Sequence, residues 1–247
     1  MRFSGYSRSS DFGLPGRLPP GVKWLLIANI GIFLLNAFTA DRFDWLTSLG
    51  LVPALVLHGA VWQLFTYMFL HSTHSLGHIL FNMLALWMFG TQLEHTWGTR
   101  RFLSYYVVCG VGAAVCVVLV SLFAGDPGVA TIGASGALFG ILLAYGLLFP
   151  DTRILFMLIF PIKAKYFVMI MGAIAFYLSL AGGNSGISNV AHLGGLLVGY
   201  LYLRGRFLRL DAAYFQRQYR DWKLQRAKRK FQVYMRKHDK DKEPWVH

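Results

Sequence analysis

Six apolar segments recur along the chain and constrain its fold more than any other feature. Charged residues make up 14% of the 247 residues and hydrophobic residues 55%, whereas charged residues make up about 25% of soluble domains. Several segments are shorter than the ~20 residues of a full span, so we expect some helices to begin or end below the membrane surface. The pattern predicts an all-α membrane protein with six transmembrane helices: Trp24 to Phe38, Leu76 to Gln92, Phe102 to Phe123, Ser135 to Phe149, Tyr166 to Ala181 and Ser188 to Leu203.

The basic residues predict the orientation of these helices. The net charge is +13, but 14 of the 24 Lys and Arg residues lie between Arg204 and the end of the chain. With a cytoplasmic N-terminus, the outer loops carry only Arg42, and the other basic residues fall on the inner side. Cytoplasmic loops are enriched in Lys and Arg. We therefore predict that both termini are cytoplasmic.

Three parts of the chain differ in composition. Residues 1–22 form a basic leader that lacks the residue order of a cleaved signal peptide. Residues 23–204 hold the six-helix domain, in which the aromatic-rich stretch from Thr39 to Ser75 predicts an interfacial, partly inserted loop. Residues 205–247 are a basic cytoplasmic tail, in which the spacing of aromatic residues predicts a helix.

The tail alternates aromatic and basic residues. An amphipathic helix of this kind can lie on an anionic leaflet, which predicts contact with anionic lipid. The alternative is a solvated basic helix that only fixes topology. No readout motif accompanies the charge, so we expect no nucleic-acid partner.

Four residues with the chemistry of an acyl-transfer site begin three of the six segments. In the predicted orientation the second, fourth and sixth helices run in the same direction, so their N-terminal turns lie at a similar depth. Ser135 can attack a carbonyl, His192 can remove its proton, and His78 and Asn82 can donate hydrogen bonds. A serine hydroxyl needs a base within hydrogen-bond reach, and the oxyanion that forms needs fixed donors.

Small residues give a second reason to pair Ser135 with His192. They recur every four residues on the fourth and sixth segments, next to the serine and the histidine. Such faces let helix backbones approach closely, which brings the hydroxyl and the imidazole together. The residues are Gly136, Gly140 and Ala144 on the fourth segment and Ala191, Gly195 and Gly199 on the sixth.

The acidic residues of the core lie at segment ends or in loops, and they are Asp41, Asp44, Glu94, Asp126 and Asp151. This favours a Ser-His dyad without a buried third member, although Asp126 stays open as one. Intramembrane aspartyl protease chemistry is excluded by the same distribution. We expect no cofactor and no metal; the alternative is a zinc site at His71, His74 and His78, whose spacing allows three ligands.

From Trp24 to Leu203 the chain resembles the rhomboid intramembrane serine proteases. The resemblance depends on a series of short motifs that occur in the family's order. These are the long first loop, His78-Ile-Leu-Phe-Asn82, Glu94 with Trp97, Gly98 and Arg101, Gly133-Ala-Ser135-Gly136, and Ala191-His192-Leu-Gly194-Gly195.

The resemblance implies that Ser135 is the nucleophile, His192 the general base, and His78 and Asn82 the oxyanion partners. It also implies a compact six-helix bundle with a water-filled cavity open to the outer face. The fifth helix and the loop near Gly182 to Ile187 would act as gate and cap.

Three positions depart from the family pattern. Trp62 is followed by Gln63 where the family has arginine, and Phe139 stands where tyrosine is frequent. The interval from His71 to His78 is two residues longer than the pattern.

The predicted function is cleavage of peptide bonds in or near transmembrane segments of membrane-anchored proteins, through an acyl-enzyme. The lipid bilayer and transmembrane protein substrates are the expected partners, and a bacterial cytoplasmic membrane is the expected location. The alternative is a catalytically silent rhomboid-like protein that binds transmembrane clients; such proteins generally lack the serine or the histidine, and both are present here. A channel or transporter is disfavoured, because buried charges and an internal repeat are missing.

Overall fold

A computed structural model describes residues 18–124, 126–156, 160–180, 184–205 and 223. The predicted helix of the basic tail therefore lies outside the described residues, apart from Lys223, and so does the leader before Leu18. The part of the predicted cap at residues 181–183 is outside them as well.

Helices account for nearly all of the described secondary structure. In chain order they are α1 (Pro20–Thr39), α2 (Trp45–Leu49), α3 (Pro53–Leu57), α4 (Gln63–Thr66), α5 (Leu76–Ala85), α6 (Thr91–Trp97), α7 (Thr99–Ala124), α8 (Ser135–Leu148), α9 (Ala164–Leu180) and α10 (Asn184–Leu203). A 3₁₀ turn, Tyr67–Phe69, follows α4, and a π-helical turn, Leu86–Gly90, joins α5 to α6. Each predicted apolar segment thus contains a long helix.

Three helical segments are long and apolar enough to cross a membrane, among the residues that the structure describes, and one of them runs through α5, the π-helical turn and α6. They are Pro20–Thr39, Leu76–Trp97 and Thr99–Phe123. Two further apolar helices, Ser135–Leu148 and Ala164–Leu180, are shorter. The 14 residues of α8 at 1.5 Å each span only about 21 Å, less than the ~30 Å of a hydrocarbon core, and the expectation that some helices begin or end below the surface stays a prediction.

The N-terminus of α1 is capped by a carboxylate from a distant helix. Pro20 begins α1, since proline fixes a helical φ and needs no hydrogen-bond acceptor there. The backbone amides of Gly21 and Val22 donate to the two oxygens of Glu94 at 2.8 and 2.7 Å. Thr99 Oγ1 donates to the same carboxylate at 2.7 Å. Glu94, in α6, is 3% exposed, so this buried charge is balanced by hydrogen bonds and by the positive end of α1.

The core of the bundle lies between α7, α8 and α10. Helix α8 is central, with nine of its 14 residues buried. Tyr105 of α7 is fully buried and donates its hydroxyl to the Gly140 carbonyl of α8 at 2.7 Å. A buried tyrosine hydroxyl needs such a partner, so this bond fixes how α7 meets α8.

The long first loop is folded. Buried Gln63 joins two of its short helices, because its Nε2 donates to the Thr47 carbonyl at 2.6 Å and its Oε1 accepts from the Val52 amide at 3.0 Å. Trp62 Nε1 donates to the Ser48 carbonyl at 2.9 Å. The glutamine that replaces the expected arginine therefore holds the loop together.

Two strands between α8 and α9 were not predicted. Arg153–Phe156 forms β1 and Phe160–Lys163 forms β2, paired antiparallel with Arg153 opposite Lys163. Ile154 packs into the core, 6% exposed, while its neighbours Arg153 and Leu155 are exposed. The sequence hides this hairpin because the residues from Ile154 to Ile162 are uniformly apolar and lack the alternation of a half-buried strand.

Candidate active site

Ser135 is the first residue of α8 and is half-buried. The opening amides of a helix have no intrahelical partner, so donors and the positive end of the helix dipole surround a residue in this position. The loop-to-helix junction expected around this serine is therefore present in the fold.

The hydroxyl of Ser135 lies against His192 of α10. The distance between Ser135 Oγ and His192 Nε2 is 2.8 Å. The ring of Phe139, one helical turn after the serine, stacks on the imidazole with centroids 4.2 Å apart and planes within 4°. For Nε2 to accept the serine proton, the ring must carry its own proton on Nδ1. The stacked phenylalanine keeps the imidazole in the plane that this contact requires.

Close backbone packing brings the two residues together. A Cβ on Gly195 of α10 would overlap the carbonyl oxygen of Gly136, and a Cβ on Gly140 would lie 3.3 Å from the carbonyl oxygen of Gly195. A Cβ on Gly136 would lie 2.8 Å from Ala113 Cβ of α7. The predicted contact between the small-residue faces of α8 and α10 is therefore present, and the third helix at the junction is α7.

His78 and Asn82 face the backbone just before the nucleophile. A Cβ on Gly133 would lie 2.7 Å from His78 Nε2 and 3.7 Å from Asn82 Nδ2, and Gly133 has φ +113°. Only glycine fits here, because a side chain would be strained and would fill the space beside both groups. The buried Asn82 Nδ2 has no hydrogen-bond partner among the described residues. It is a free donor beside the serine loop.

The first loop holds the segment before Ser135. Leu51 and Thr131 exchange backbone hydrogen bonds of 2.9 and 2.8 Å, and the Gly133 amide donates to the Tyr67 carbonyl at 2.9 Å. The Tyr67 hydroxyl in turn donates to the Gly110 carbonyl of α7 at 2.7 Å. Sequence reasoning missed these supports, since backbone pairing of two single residues leaves no periodic signal.

One contact of His78 favours a tautomer. The Ser72 amide lies 3.5 Å from His78 Nδ1, and a ring that accepts this bond carries its proton on Nε2, the nitrogen that faces Gly133. His78 can therefore donate a hydrogen bond toward the serine loop, as Asn82 can.

The neighbouring histidines differ in exposure. His71 is fully buried with its ring centroid 5.1 Å from that of His78, whereas His74 is exposed. Burial lowers the pKa of His71 to about 4, so its ring is neutral at neutral pH. Among the described residues, no three His, Cys, Asp or Glu side chains form a group that could hold a metal ion.

Asp44, Glu94 and Asp126 bind groups other than His192. Glu94 caps α1, Asp44 caps α2 through the Thr47 amide, and Asp126 accepts from the Gly128 amide at 2.8 Å. The hydrogen bond from Thr47 lowers the pKa of the Asp44 carboxyl. His192 Nε2 contacts the hydroxyl of Ser135.

A family model for the rhomboid domain matches residues 58–209 of the chain. Rhomboid protein 1, a mitochondrial protein of Saccharomyces cerevisiae, is 35% identical over 130 residues, covering 51% of this chain and 36% of the relative. Rhomboid protease GluP of Bacillus subtilis is 33% identical over 147 residues, 60% of this chain and 26% of the relative.

Rhomboid protease AarA of Providencia stuartii is 30% identical over 195 residues, 72% of this chain and 69% of the relative. The chain thus spans about a third of the yeast relative, about a quarter of GluP and about two thirds of AarA.

Proposed function

Because the chain belongs to the rhomboid family and is an integral membrane protein, we propose that it is an intramembrane serine endopeptidase. The observation that carries the proposal is the 2.8 Å contact between Ser135 Oγ and His192 Nε2. A hydroxyl within hydrogen-bond reach of an imidazole is the minimum that nucleophilic catalysis by serine requires.

In the first half of the reaction Ser135 Oγ attacks the carbonyl carbon of the scissile peptide bond. His192 Nε2 takes the hydroxyl proton as the new C–O bond forms. The tetrahedral intermediate then expels the amine, and His192 returns the proton to the leaving nitrogen. The products of this step are the free amine and an ester on Ser135.

The oxyanion of the intermediate needs donors that are in place beforehand. Asn82 Nδ2, His78 Nε2 and the Ser135 backbone amide are the candidates, because the two side chains face Gly133 and the amide opens α8. Loss of one such donor typically costs about a hundredfold to a thousandfold in rate.

In the second half a water molecule hydrolyses the ester. His192 removes a proton from the water, the C–O bond to Ser135 breaks, and the proton passes to the serine oxygen. This step needs water at a site within an apolar bundle. Ser135 and His192 are both only half-buried, which supports access from the aqueous side at their end of the bundle.

The substrates in this proposal are transmembrane segments of membrane-anchored proteins, cut next to a small residue near the outer surface. A carbonyl bonded within a helix is out of reach of a nucleophile, so segments that unwind easily are favoured. Helix α9 serves as the gate, since only Ala164 and Ala175 of its 17 residues are buried.

The remaining parts of the proposal concern topology and location. All six long helices span the membrane, both termini are cytoplasmic, and residues 23–204 form the protease domain. The tail at 205–247 contacts anionic lipid, and the membrane is a bacterial cytoplasmic membrane. The excess of Lys and Arg on one side of the helices supports this orientation.

The test is cleavage of a model transmembrane substrate by the purified full chain in liposomes. We expect Ser135→Ala and His192→Ala to abolish cleavage, because each removes one half of the dyad. Ser121→Ala is the matched control, since Ser121 is a buried helix serine that only donates to the Val118 carbonyl at 2.8 Å. It is expected to keep nearly full activity.

A serine-directed covalent probe adds an independent readout. We expect it to label Ser135 in the wild type and to label nothing in Ser135→Ala. Cleavage by folded Ser135→Ala would overturn the proposal. A wild type that binds the substrate but neither cuts it nor reacts with the probe would support the alternative, a silent rhomboid-like protein.

A further inference from the structure

Three basic side chains, Arg153, Lys163 and Lys165, lie on the hairpin between α8 and α9 and at the start of α9. Lys163 Nζ and Lys165 Nζ both lie close to Asp151 Oδ1, at 3.1 and 3.2 Å. These two contacts hold the pKa of the Asp151 carboxyl below its ordinary value. Arg153 has no carboxylate within ion-pair distance among the described residues. Three cations and one anion leave a net charge of +2 on this short structure.

Two of the cations are directly opposed. Arg153 and Lys163 are Cα partners in the antiparallel pair, and like charges in that position destabilise a sheet. Asp151 offsets the charge of Lys163 in part, and an anion shared by Arg153 and Lys163 would remove the remaining repulsion. The guanidinium of Arg153 suits a phosphate, because its planar array of donors can bind two phosphate oxygens at once.

Apolar side chains stand beside the cations on the hairpin. Residues two apart on a strand share a face, so Leu155 lies beside Arg153, and its partner Pro161 lies beside Lys163. Leu155 is 39% and Phe160 is 60% exposed. Leu155 and Pro161 therefore place apolar surface next to the two cations. Phe160 pairs with Phe156 and lies on the opposite face of the hairpin.

Short connections to α8 and α9 keep the hairpin close to the membrane surface. It begins a few residues after α8 ends at Leu148, and α9 starts at Ala164, with the Ala164 amide donating to the Thr152 carbonyl at 2.8 Å. Strands of four residues reach about 13 Å, and the headgroup layer of one leaflet is roughly 5–7 Å thick. The cations are within reach of lipid phosphates at that end of the bundle.

We propose that the β1–β2 hairpin binds the headgroup phosphate of an anionic phospholipid between Arg153 and Lys163, with Leu155 beside them on the same face. A zwitterionic headgroup fits less well, because its ammonium group would add a fourth positive charge. This site lies at the end of α8 opposite Ser135, and it goes beyond the proposed proteolysis without depending on it.

The experiment uses the full chain in bilayers of phosphatidylcholine with a small fraction of a photoactivatable phospholipid. The probe is phosphatidylglycerol in one arm and phosphatidylcholine in the other, and labelled peptides are identified by mass spectrometry. We expect the peptides containing residues 153–163 to be labelled more by phosphatidylglycerol than by phosphatidylcholine. Arg153→Gln and Lys163→Gln are expected to reduce this preference about fivefold each, the ratio for the loss of one charge near a membrane.

Arg100→Gln is the matched control, because Arg100 is an exposed arginine at the start of α7. It removes the same charge without touching the hairpin and is expected to leave the labelling of 153–163 unchanged. Equal labelling by both lipids, or an equal loss in Arg100→Gln, would overturn the proposal. Loss of the labelling in the presence of millimolar inorganic phosphate would overturn it too, because it would show that the site binds a soluble anion. Melting temperatures confirm that each variant is folded.

Discussion

The α8–α10 interface and helix α9 are neighbours that pack in opposite ways. Nine of the 14 residues of α8 are buried, but only two of the 17 residues of α9. At Gly136 and Gly195 the backbones of α8 and α10 meet with no space for one methyl group. The apolar side chains of α9, such as Phe176 and Tyr177, are mostly exposed. The helices that carry the dyad are thus packed closely together, whereas α9 lies on the outside of the bundle, the position that the proposed gate requires.

The largest expected effect is that of Gly195→Ala, which disrupts the close contact between α8 and α10. The added Cβ would overlap the Gly136 carbonyl oxygen, so α8 and α10 must move apart. A displacement of about 1 Å at a catalytic contact costs on the order of a hundredfold in rate, and overpacking costs roughly 1–3 kcal/mol. Cleavage assays and melting temperatures in detergent measure both losses. A variant with wild-type activity and stability would show that the interface is not rigid.

A second prediction concerns the stability of the fold at low pH. His71 is buried in its neutral form, with a pKa of about 4 against about 6.5 for a free histidine. Between pH 6.5 and pH 4 the His71 imidazole is therefore protonated in the unfolded chain but neutral in the folded chain. We expect stability to be fully present above pH 6.5 and to fall by up to roughly 3 kcal/mol as the pH approaches 4.

Melting temperatures of variants across this pH range test the assignment. His71→Gln is expected to reduce the loss of stability in acid by the share that His71 contributes, and exposed His74→Gln is expected to keep the whole loss. The same acid loss in both variants would contradict the role of His71. Helix α9 contributes nothing to this loss, because its two buried residues are alanines.

A smaller effect is expected for Gln63→Ala in the first loop. The change leaves the Val52 amide without its acceptor and the Thr47 carbonyl without its donor, at a cost of about 1–3 kcal/mol. Activity is expected to fall together with stability, because Leu51 next to this bond pairs with Thr131 before the nucleophile. Gln92→Ala, an exposed glutamine of α6, is the control. Equal melting temperatures would rule out an anchoring role for Gln63.

The smallest effect, with the opposite sign, is expected on α9. A Cβ on Gly172 would lie 3.4 Å from Leu196 Cδ1, an ordinary contact. Alanine is the better helix former by roughly 0.5–1 kcal/mol, so Gly172→Ala is expected to stabilise the chain slightly. If it destabilised the chain as much as Gly195→Ala does, the contrast between the two helices would be wrong.

The features that depend on a regular spacing of residue types could be predicted from the sequence. Apolar runs gave the long helices, and the four-residue spacing of small residues gave the contact of α8 with α10, and with it the approach of His192 to Ser135. Both signals arise because a helix repeats every 3.6 residues and a close contact demands small residues at that interval.

The parts that depend on single, non-repeating contacts were not predictable. Gln63 was noted as a departure, but its two bonds depend on where Thr47 and Val52 happen to lie. The pairing of Leu51 with Thr131 joins residues 80 apart through backbone atoms alone. The β1–β2 hairpin was missed because its residues are as apolar as the helices on either side.

The cap on α1 has a consequence for how the chain is made. Synthesis runs from the N-terminus, so α1 emerges from the ribosome before Glu94 exists, and the Gly21 and Val22 amides have no carboxylate to bind. The first turn of α1 can be completed only when a segment made 73 residues later returns to the same surface. The cap therefore forms only after the second long apolar segment has been made and has packed against the start of α1.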